Sequence, residues 1–395
     1  MRQVFRTSES VTEGHPDKLA DRISDAVLDA ILKVDRTAHV ACETFLTTGL
    51  VLVGGEISTE TYVDIDAIAR RVISDVGYDK AGYGFNHQDC AVLSAIKEQS
   101  SDIAAAVGDA SILRAGKVED PYGVIGAGDQ GIMYGYACAE TEELMPLPIT
   151  LAHQLASRLA QVRKEKTLPY LRPDGKSQVT IEYRDDKPAR VVTALIAAQH
   201  DPDIGQETLR QEIIAQVLTP VLEGWIDEET MLLVNSSGRF VIGGPASDTG
   251  MTGRKVIVDS YGGYGSHGGG AFSGKDPTKV DRSGSYMARY VAKHLVAAKL
   301  ARKVEVQIAY AIGRSAPLAI SIDTFGTGAV PDDRLRRAIT KTFDFRPAAI
   351  IERLDLLKPI YEPFSCYGHF GRLDLSPTWE QTDQITTLQR AATSG

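Results

Sequence analysis

Three stretches of the chain carry apolar residues at the spacing of an α-helix. The first covers 17–33, where the apolar positions recur every fourth residue: Leu19, Ile23, Val27 and Ile31. Pro16 suits the first helical position, because its missing N–H costs nothing there. Two further helical stretches, 148–166 and 283–303, begin after intervals of 131 and 135 residues. The pattern therefore predicts a long amphipathic helix at three places.

Each of these helices is followed by two alternating apolar and polar runs, which predict a β-hairpin, and then by a second helix. The predicted hairpins are His39–Leu46 with Leu50–Ile57, Val179–Arg184 with Ala189–Gln199, and Val304–Gly313 with Leu318–Phe325. The second helices are predicted at Asp64–Val76, Glu207–Leu222 and Asp332–Phe343. Although the residues themselves do not repeat, the recurring order predicts three α+β units of similar plan.

The composition is that of an ordinary globular protein, with 43% apolar and 24% charged residues. No apolar run approaches the roughly 20 residues of a membrane helix, and the N-terminus lacks the apolar segment of a signal peptide. The four cysteines are scattered, with no CxxC pair: Cys42, Cys90, Cys138 and Cys366. This usage favours reduced thiols over disulfides or a zinc site. We therefore expect a cytoplasmic protein without membrane association.

The net charge of −9 argues against general nucleic-acid binding. However, the segment 251–303 holds ten Lys or Arg and three Asp, so it is locally basic. Such an island in an acidic protein can attract a small polyanion. Part of this charge is predicted to lie on the solvated face of a helix: Arg289, Lys293, Lys299, Arg302 and Lys303.

The basic segment contains a glycine-rich stretch, in which seven of the thirteen residues from 262 to 274 are glycine. A backbone so free of side chains loses much entropy on folding, and the usual reason for it is close approach of main-chain N–H groups to a ligand oxyanion. Lys275 and Lys279 follow closely and indicate phosphate. Interleaved Phe, His and Tyr side chains make a flexible linker the weaker interpretation.

The same stretch imitates a nucleotide-binding P-loop, with four residues between Gly269 and Gly274-Lys275. The imitation ends there. Asp276 stands where Ser or Thr should hold magnesium, and Pro277 follows where a helix should begin. We therefore predict a phosphate-binding loop of another design.

The motif Gly14-His15-Pro16-Asp17-Lys18 lies where the first helix begins. Free N–H groups and the helix dipole favour anions at such an end. His15 could donate to a phosphate oxygen, and Asp17 could hold a magnesium ion that binds the phosphate. Alternatively, Asp17 could be only a helix cap. The motif alone leaves both interpretations open.

The segment 126–131 fits the GxGxxG pattern of dinucleotide-binding proteins. That pattern requires a helix directly after the glycines. Here the residues Ile132–Cys138 alternate like a strand instead. We therefore predict a tight turn that presents Asp129.

Two other glycine-containing segments carry charged residues. Asp174-Gly175-Lys176 is favoured as a turn that leads into the strand at Val179. The segment 248–255 contains Arg254 and Lys255, which can bracket a phosphate chain. Glu56 follows two glycines and is either a ligand or an exposed strand end.

Taken together, the loops combine several Lys and Arg side chains with carboxylates, and the sequence contains neither a hydrolytic triad nor a zinc motif. The combination indicates a site for a nucleoside triphosphate with magnesium, where charge neutralisation matters more than a covalent nucleophile. A kinase or ATPase is the main alternative, but the missing P-loop context weakens it. A catalytically silent nucleotide-binding protein would be expected to lack the cationic loop residues.

Several motifs together make the chain resemble the S-adenosylmethionine synthase (methionine adenosyltransferase) family. The most specific are GHPDK (14–18), GAGDQG (126–131) and GGGAFSGKD (268–276). Others are ACETFLTTG (41–49), VGGEI (53–57), RPDGKSQVT (172–180), GRFVIGGPASDTGMTGRKVIVD (238–259) and YGHFGR (367–372). The likeness covers essentially the whole length, while 101–125, 264–266 and the tail after Asp374 depart from the family pattern.

The resemblance implies that the protein makes S-adenosyl-L-methionine from ATP and L-methionine. The methionine sulfur would attack the ribose 5′ carbon and expel triphosphate, which is then hydrolysed to pyrophosphate and phosphate. The family fold implies three structurally similar α+β domains related by pseudo-threefold symmetry, each a β-sheet with helices on one face. We expect these domains at 1–102, 132–234 and 235–395, with a mobile gate and connection at 103–131.

The resemblance also implies roles for individual residues. Catalytic residues would be His15, Asp129, Lys176, Arg254 and Lys275. ATP would be bound by His15, Asp174, Lys176, Arg239, Phe240, Asp248, Arg254, Lys255, Ala271 and Lys275. Methionine would be bound by Glu56, Gln99, Asp248 and Lys279. Magnesium, two ions per site, would be held by Asp17 and Asp281, and potassium by Glu43. Family members form homodimers with composite sites and commonly homotetramers, and we expect neither nucleic acid nor membrane as a partner.

Overall fold

A computed structural model of the protein describes residues 2–99, 120–123 and 125–393. Its strands are β1 (Gln3–Val11), β2 (His39–Thr47), β3 (Leu50–Ser58), β4 (Ala91–Lys97), β5 (Gly131–Cys138), β6 (Leu171–Arg184), β7 (Lys187–His200), β8 (Met231–Val234), β9 (Gly250–Met251), β10 (Lys303–Tyr310) and β11 (Ala319–Asp323). These strands form three sheets in the orders β4-β3-β2-β9, β1-β6-β7-β8 and β11-β10-β5.

The helices lie between these strands. They are α1 (Pro16–Leu32), α2 (Ile65–Val76), α3 (Leu147–Lys164), α4 (Gln206–Ile213), α5 (Thr219–Val221), α6 (Val256–Asp259), α7 (Val280–Ala297), α8 (Asp332–Thr342), α9 (Pro347–Arg353) and α10 (Ile385–Thr393). A π-helical turn, Ile214–Leu218, joins α4 to α5. No helix within the described residues is long and apolar enough to cross a membrane.

The predicted helix–hairpin–helix order is confirmed three times, as α1-β2-β3-α2, α3-β6-β7-α4 and α7-β10-β11-α8. Each long helix packs on the strands of its own sheet: α1 on β2, α3 on β6 and α7 on β5 and β10. The α+β class with three similar units is therefore confirmed. The apolar stripe of α1 is fully buried, as its spacing predicts.

Each sheet also takes a strand from a distant part of the chain. The first strand, β1, pairs with β6, while β5 pairs with β10 and β9 pairs with β2. These exchanges tie the three units together. The domain limits at 102, 131 and 234 remain predictions, and most of the expected gate at 103–131 lies outside the described residues.

Two charged residues that were predicted to be solvated are instead buried. Arg289 and Lys293 both pair with Glu380, at 2.9 and 2.7 Å, and Arg289 is completely buried. Helical periodicity places both side chains on one face of α7, but it does not reveal that a carboxylate 91 residues away covers that face. Lys299 and Arg302 are exposed as predicted, but they lie after the end of α7 at Ala297, and the half-buried Lys303 begins β10, so the helix does not extend to 303.

Candidate functional site

The glycine-rich stretch is fixed along the edge of β2. The Cys42 N–H donates to the carbonyl of Gly274 at 2.8 Å, and the Asp276 N–H donates to the carbonyl of Val40 at 3.0 Å. Gly274 adopts a φ of +79°, and a Cβ there would lie only 1.9 Å from the Cys42 carbonyl oxygen. Glycine is therefore required at this position by both backbone conformation and close approach.

This loop leads into α7, whose first turn collects charged side chains. Lys275 Nζ lies 2.5 Å from Asp281 Oδ2, and Lys279 Nζ lies 2.5 Å from Asp276 Oδ2. Because α7 begins at Val280, slightly before the predicted start, Asp281 belongs to its first turn. Lys275, Lys279 and Asp281 all retain some exposure and border an open space.

That space is the β2–α7 cavity, with a volume of about 530 Å³. Its lining residues are Ala41, Glu56, Lys97, Glu98, Gln99, Gly128, Asp129, Lys275, Lys279 and Asp281. Glu56 pairs with Lys97 at 3.3 Å, and Asp129 is exposed in the turn before β5. The structure therefore brings together four residues expected at the methionine end, Glu56, Gln99, Asp129 and Lys279, whereas Asp248, also expected to bind methionine, does not line this cavity. The predicted turn is confirmed, because a bend at 128–129 leads directly into β5 and not into a helix.

A second group of candidate residues surrounds the start of α1. His15 is the N-cap residue, and its Nδ1 accepts a hydrogen bond from the Asp17 N–H at 3.2 Å. Burial, assisted by the charges of Lys255 and Lys176, lowers the pKa of His15 to about 3. The imidazole is therefore neutral near pH 7. Since Nδ1 accepts, the ring proton is carried by Nε2, which can donate to a ligand.

Asp17 does not cap the helix, so that alternative is wrong. Its Oδ1 accepts from the Met251 N–H at 3.0 Å, and its Oδ2 lies 2.5 Å from Lys255 Nζ. Arg254 Nε lies 3.6 Å from the same carboxylate. Burial acts to raise the pKa of Asp17, but Lys255 and the Met251 N–H outweigh it and the net shift is downward. The carboxylate is therefore ionised among cations.

Asp174 presents a buried oxygen without a partner. Its Oδ2 accepts from the Gly244 N–H at 2.8 Å, whereas Oδ1 has no hydrogen-bond partner within the described part of the chain. Burial raises the pKa of Asp174 to about 6. A buried unpaired acceptor is costly unless a ligand donates to it. The predicted turn at 174–176 is wrong, because these residues lie inside β6, where an irregularity in the pairing with β7 precedes Gly175.

The remaining nucleotide candidates lie near Asp174. Phe240 is held by two hydrogen bonds to His200. The Phe240 N–H donates to the ring Nε2 of His200 at 3.1 Å, and the main-chain N–H of His200 donates to the Phe240 carbonyl at 2.9 Å. The Asp248 N–H donates to the Gly244 carbonyl at 3.1 Å. Exposed side chains among these candidates are Lys176, Arg239, Asp248 and Arg254.

The candidates thus fall into two groups. The α1 group is His15, Asp17, Asp174, Lys176, Arg239, Phe240, Asp248, Arg254 and Lys255, and the α7 group is Glu56, Gln99, Asp129, Lys275, Lys279 and Asp281. Within the described ranges, no hydrogen bond or ion pair joins a member of one group to a member of the other. Ala271 lies beside Gly253, between them.

The carboxylates expected to hold metals come singly. Among the residues that the structure describes, no three His, Cys, Asp or Glu side chains are gathered as a metal site. Magnesium commonly keeps several waters and binds one or two carboxylates together with substrate phosphates. Asp17 and Asp281, each beside cations suited to phosphate, fit that mode. Glu43 is exposed on β2 and offers potassium a single side-chain ligand.

Two residues that bind the main chain of the site loops, Asp21 and Asp25, were missed at the sequence level. Asp17, Asp21, Asp25 and Asp29 are spaced four residues apart on α1 and align on one face. Asp21 is fully buried, pairs with Lys18 at 2.8 Å and accepts the Gly253 N–H at 2.8 Å, next to Arg254. The four-residue spacing of the acids was the available signal, but such a stripe would ordinarily be assigned to solvent.

Comparison with known proteins matches three family models along the chain. They are the N-terminal, central and C-terminal domains of S-adenosylmethionine synthetase, over residues 3–101, 124–240 and 242–381. Among curated proteins, the S-adenosylmethionine synthases of two strains of Thermus thermophilus are each 59% identical over 388 residues, which is 98% of this chain and 98% of each relative.

Proposed function

The chain belongs to the S-adenosylmethionine synthetase family, and on that premise we propose which of its residues carry the reaction. The enzyme forms S-adenosyl-L-methionine from ATP and L-methionine. The methionine sulfur attacks the ribose C5′ in line, the C5′–O5′ bond breaks and triphosphate leaves. Water then splits the triphosphate into pyrophosphate and phosphate. The observation that carries the proposal is the Lys275–Asp281 pair at the β2–α7 cavity.

Lys275 stabilises the negative charge that develops on the departing triphosphate. A fixed ammonium beside a developing oxyanion lowers the barrier more than it strengthens ground-state binding. Lys279 lies four residues later, at the N-cap of α7, and receives the methionine carboxylate. Glu56, Gln99 and Asp129 face the same cavity and orient the rest of methionine.

The α1 group binds the phosphate chain. Neutral His15 donates from Nε2 to an oxygen near the bond that breaks, and Arg254 and Lys255 bind the phosphates. Magnesium, when held by Asp17 and Asp281, would neutralise further phosphate charge. Because the pKa of His15 lies near 3, its donor role does not require a protonated imidazole at neutral pH.

The nucleoside end of ATP is assigned to the region around Asp174. Its unpaired Oδ1 accepts a hydrogen bond from a nucleoside hydroxyl or amino group. Phe240 and Arg239 supply an aromatic face and a cation nearby, and Lys176 and Asp248 complete the polar rim. Ala271 provides a small surface against which ATP lies.

Attack by a thioether sulfur explains why a general base is not required. The sulfur carries no proton, so the reaction needs a positioned nucleophile and a stabilised leaving group. Both groups of residues are rich in cations and carboxylates suited to that task. A phosphoryl transfer enzyme would instead need to position a hydroxyl or water against the γ-phosphate.

We infer that the enzyme works as a homodimer in which the α1 group of one chain meets the α7 group of its partner. The separation of the two groups within one chain supports this arrangement, because neither alone holds both substrates. Two such dimers would form the expected tetramer. Potassium at Glu43 and a cytoplasmic location remain expectations, the latter supported by the four free, buried cysteines among the described residues.

Complementation between variant chains tests the composite site. Chains carrying Lys255→Met and Lys275→Met are given different affinity tags, co-expressed and purified as mixed dimers. Each parental variant dimer should have less than roughly 1% of wild-type activity, given the 10²–10³-fold losses typical of such charge-stabilising groups. A mixed dimer restores one complete site, so it should recover about half of the wild-type rate. Mixed dimers as inactive as both parents would place each site within a single chain.

A further inference from the structure

Four aspartates on one face of α1 each accept main-chain N–H groups from a later segment. Asp17 receives Met251, Asp21 receives Gly253, Asp25 receives Gly274, and Asp29 receives Tyr361 and Glu362. Asp25 is therefore the aspartate that binds the glycine-rich loop, at Gly274, the residue before Lys275.

Asp25 also forms a two-pronged pair with Arg282. Arg282 Nη1 lies 2.7 Å from Asp25 Oδ1, and Nη2 lies 3.0 Å from Oδ2. The same Nη1 donates to the carbonyl of Lys275 at 3.1 Å. Asp25 thus holds the N–H of Gly274 at 2.8 Å while Arg282 holds the carbonyl of Lys275, so the main chain is gripped on both sides of the Lys275 Cα.

The guanidinium of Arg282 is itself fixed on its remaining sides. It lies 4.1 Å from the centre of the Tyr361 ring, and its Nε donates to Tyr286 Oη at 3.1 Å. Arg282 is also the residue after Asp281, whose carboxylate pairs with Lys275. Asp25 and Arg282 are both completely buried. The pair is therefore enclosed by the protein and bonded to the main chain at Lys275.

A buried ion pair is a poor source of stability, because desolvation of the two charges offsets their attraction. It does fix geometry, since a bidentate guanidinium–carboxylate pair allows little variation in distance or angle. The function of this pair therefore lies in fixing the position of the main-chain segment that it binds, which is the backbone of Lys275.

We propose that Asp25 and Arg282 are positioning residues that fix the Lys275 ammonium at the triphosphate leaving group. This inference rests on the proposed function, which assigns Lys275 to that group. Neither residue touches substrate. Both act through the backbone of Lys275 and through the neighbouring Asp281.

The expected effect falls on the chemical step. A displacement of about 1 Å in a charge-stabilising group can cost on the order of 100-fold in rate. Asp25→Asn removes the charge that pairs with Arg282 and leaves only one carbonyl oxygen to accept from Gly274. We expect kcat to fall roughly 30- to 100-fold, while KM for ATP and for methionine changes less than about threefold.

Asp29→Asn is the matched control. Asp29 belongs to the same face of the same helix and also accepts main-chain N–H groups, but those belong to Tyr361 and Glu362 and to no candidate site residue. Its link to Arg282 is indirect, through the ring of Tyr361, and it makes no contact with the backbone at Lys275. Both variants are compared with the wild type as full-length enzyme, by thermal unfolding and by steady-state kinetics. Asp29→Asn should keep kcat within about twofold of the wild type, whatever its thermal stability.

A double-mutant cycle with Lys275→Met separates positioning from general damage. If Asp25 acts through Lys275, Asp25→Asn should lower kcat less than about threefold once Lys275 is already methionine. The loss from Asp29→Asn, if any, should be the same in both backgrounds. A full, unchanged loss from Asp25→Asn in the Lys275→Met background would overturn the proposal, as would wild-type kcat in folded Asp25→Asn.

Arg282→Lys replaces Asp25→Asn in the cycle if the latter does not fold. The lysine keeps a cation beside Asp25 but cannot bridge to the carbonyl of Lys275, so we expect a loss of about tenfold in kcat, absorbed in the Lys275→Met background. Normal kcat in folded Arg282→Lys, or failure of this variant also to fold, would assign the pair to stability and overturn the proposal.

The activity of the wild type distinguishes failure of the proposed function from failure of the positioning role. Failure to form a sulfonium nucleoside would refute the proposed function, whereas an active wild type with an Asp25→Asn that behaves like Asp29→Asn would refute only the positioning.

Discussion

The substitution Lys275→Met tests the role assigned to the glycine-rich loop. Lys275 Nζ lies 2.5 Å from Asp281 Oδ2 at the rim of the β2–α7 cavity, with its side chain 24% exposed. Methionine keeps most of the apolar stem but removes the charge. The substitution therefore removes the interaction with the departing triphosphate and leaves the backbone of the loop in place.

The expected magnitudes for activity and stability differ widely. Loss of a charge-stabilising group in an active site costs about 3–4 kcal/mol, which lowers kcat by roughly 10²- to 10³-fold. A partly exposed ion pair contributes only about 0–1 kcal/mol to folding. We therefore expect kcat to fall by orders of magnitude while the free energy of unfolding changes by less than about 1 kcal/mol.

The assay is methionine-dependent release of phosphate and pyrophosphate at saturating ATP, accompanied by chemical denaturation. Lys97→Met is the matched control, because Lys97 lines the same cavity but is 76% exposed and, among the residues that the structure describes, forms an ion pair with Glu56 alone, at 3.3 Å. Its kcat should stay within about threefold of the wild type, since an exposed charge is screened by solvent. Near-normal turnover in Lys275→Met, or an equal loss in Lys97→Met, would refute the assigned role.

Two further predictions concern the backbone and the pH response. Gly274→Ala should lower the free energy of unfolding, measured by denaturation, at least twice as much as Gly269→Ala. Both glycines have a positive φ, which costs about 1–2 kcal/mol for a residue that has a side chain. Only at Gly274 would the added Cβ also meet a backbone oxygen. Equal losses would contradict the close approach. KM for ATP should rise as pH falls through about 6, where Asp174 takes up a proton, and this dependence should be absent in Asp174→Asn. The folded-state pKa of Asp174 is raised above the unfolded value near 4, so its ionisation lowers the stability of the wild type as pH rises from about 4 to about 6. Asp174→Asn does not ionise there. Its free energy of unfolding relative to that of the wild type should therefore be higher above pH 6 than below pH 4, by up to about 3 kcal/mol.

Much of the scaffold could be predicted from local pattern. Leu19, Ile23, Val27 and Ile31 mark α1 because one helical face must be apolar to be buried, and Pro16 marks its start. The strand after Gly131 could be distinguished from a helix by its alternation. These features depend on neighbours within a few residues, which sequence shows directly.

Other features depend on contacts between distant residues. Arg289 was assigned to solvent because nothing near it indicates Glu380, and Asp17 remained ambiguous because Lys255 lies 238 residues away. The turn predicted at Asp174 is instead an irregular part of a long strand. The sequence could not distinguish the two, because a glycine flanked by charges suits either structure. The resemblance identified residues for both groups, but it did not show that Asp25 on α1 binds the main chain next to Lys275.

The central claim is that sulfur attacks C5′ and the whole triphosphate leaves. The most direct test uses ATP labelled with ¹⁸O at the oxygen that bridges C5′ and the α-phosphorus, incubated with magnesium and potassium, with and without methionine. The account predicts a sulfonium nucleoside that forms only with methionine and carries no label, with all ¹⁸O in pyrophosphate and phosphate. ADP as the sole nucleotide product, or label retained on the nucleoside, would contradict it.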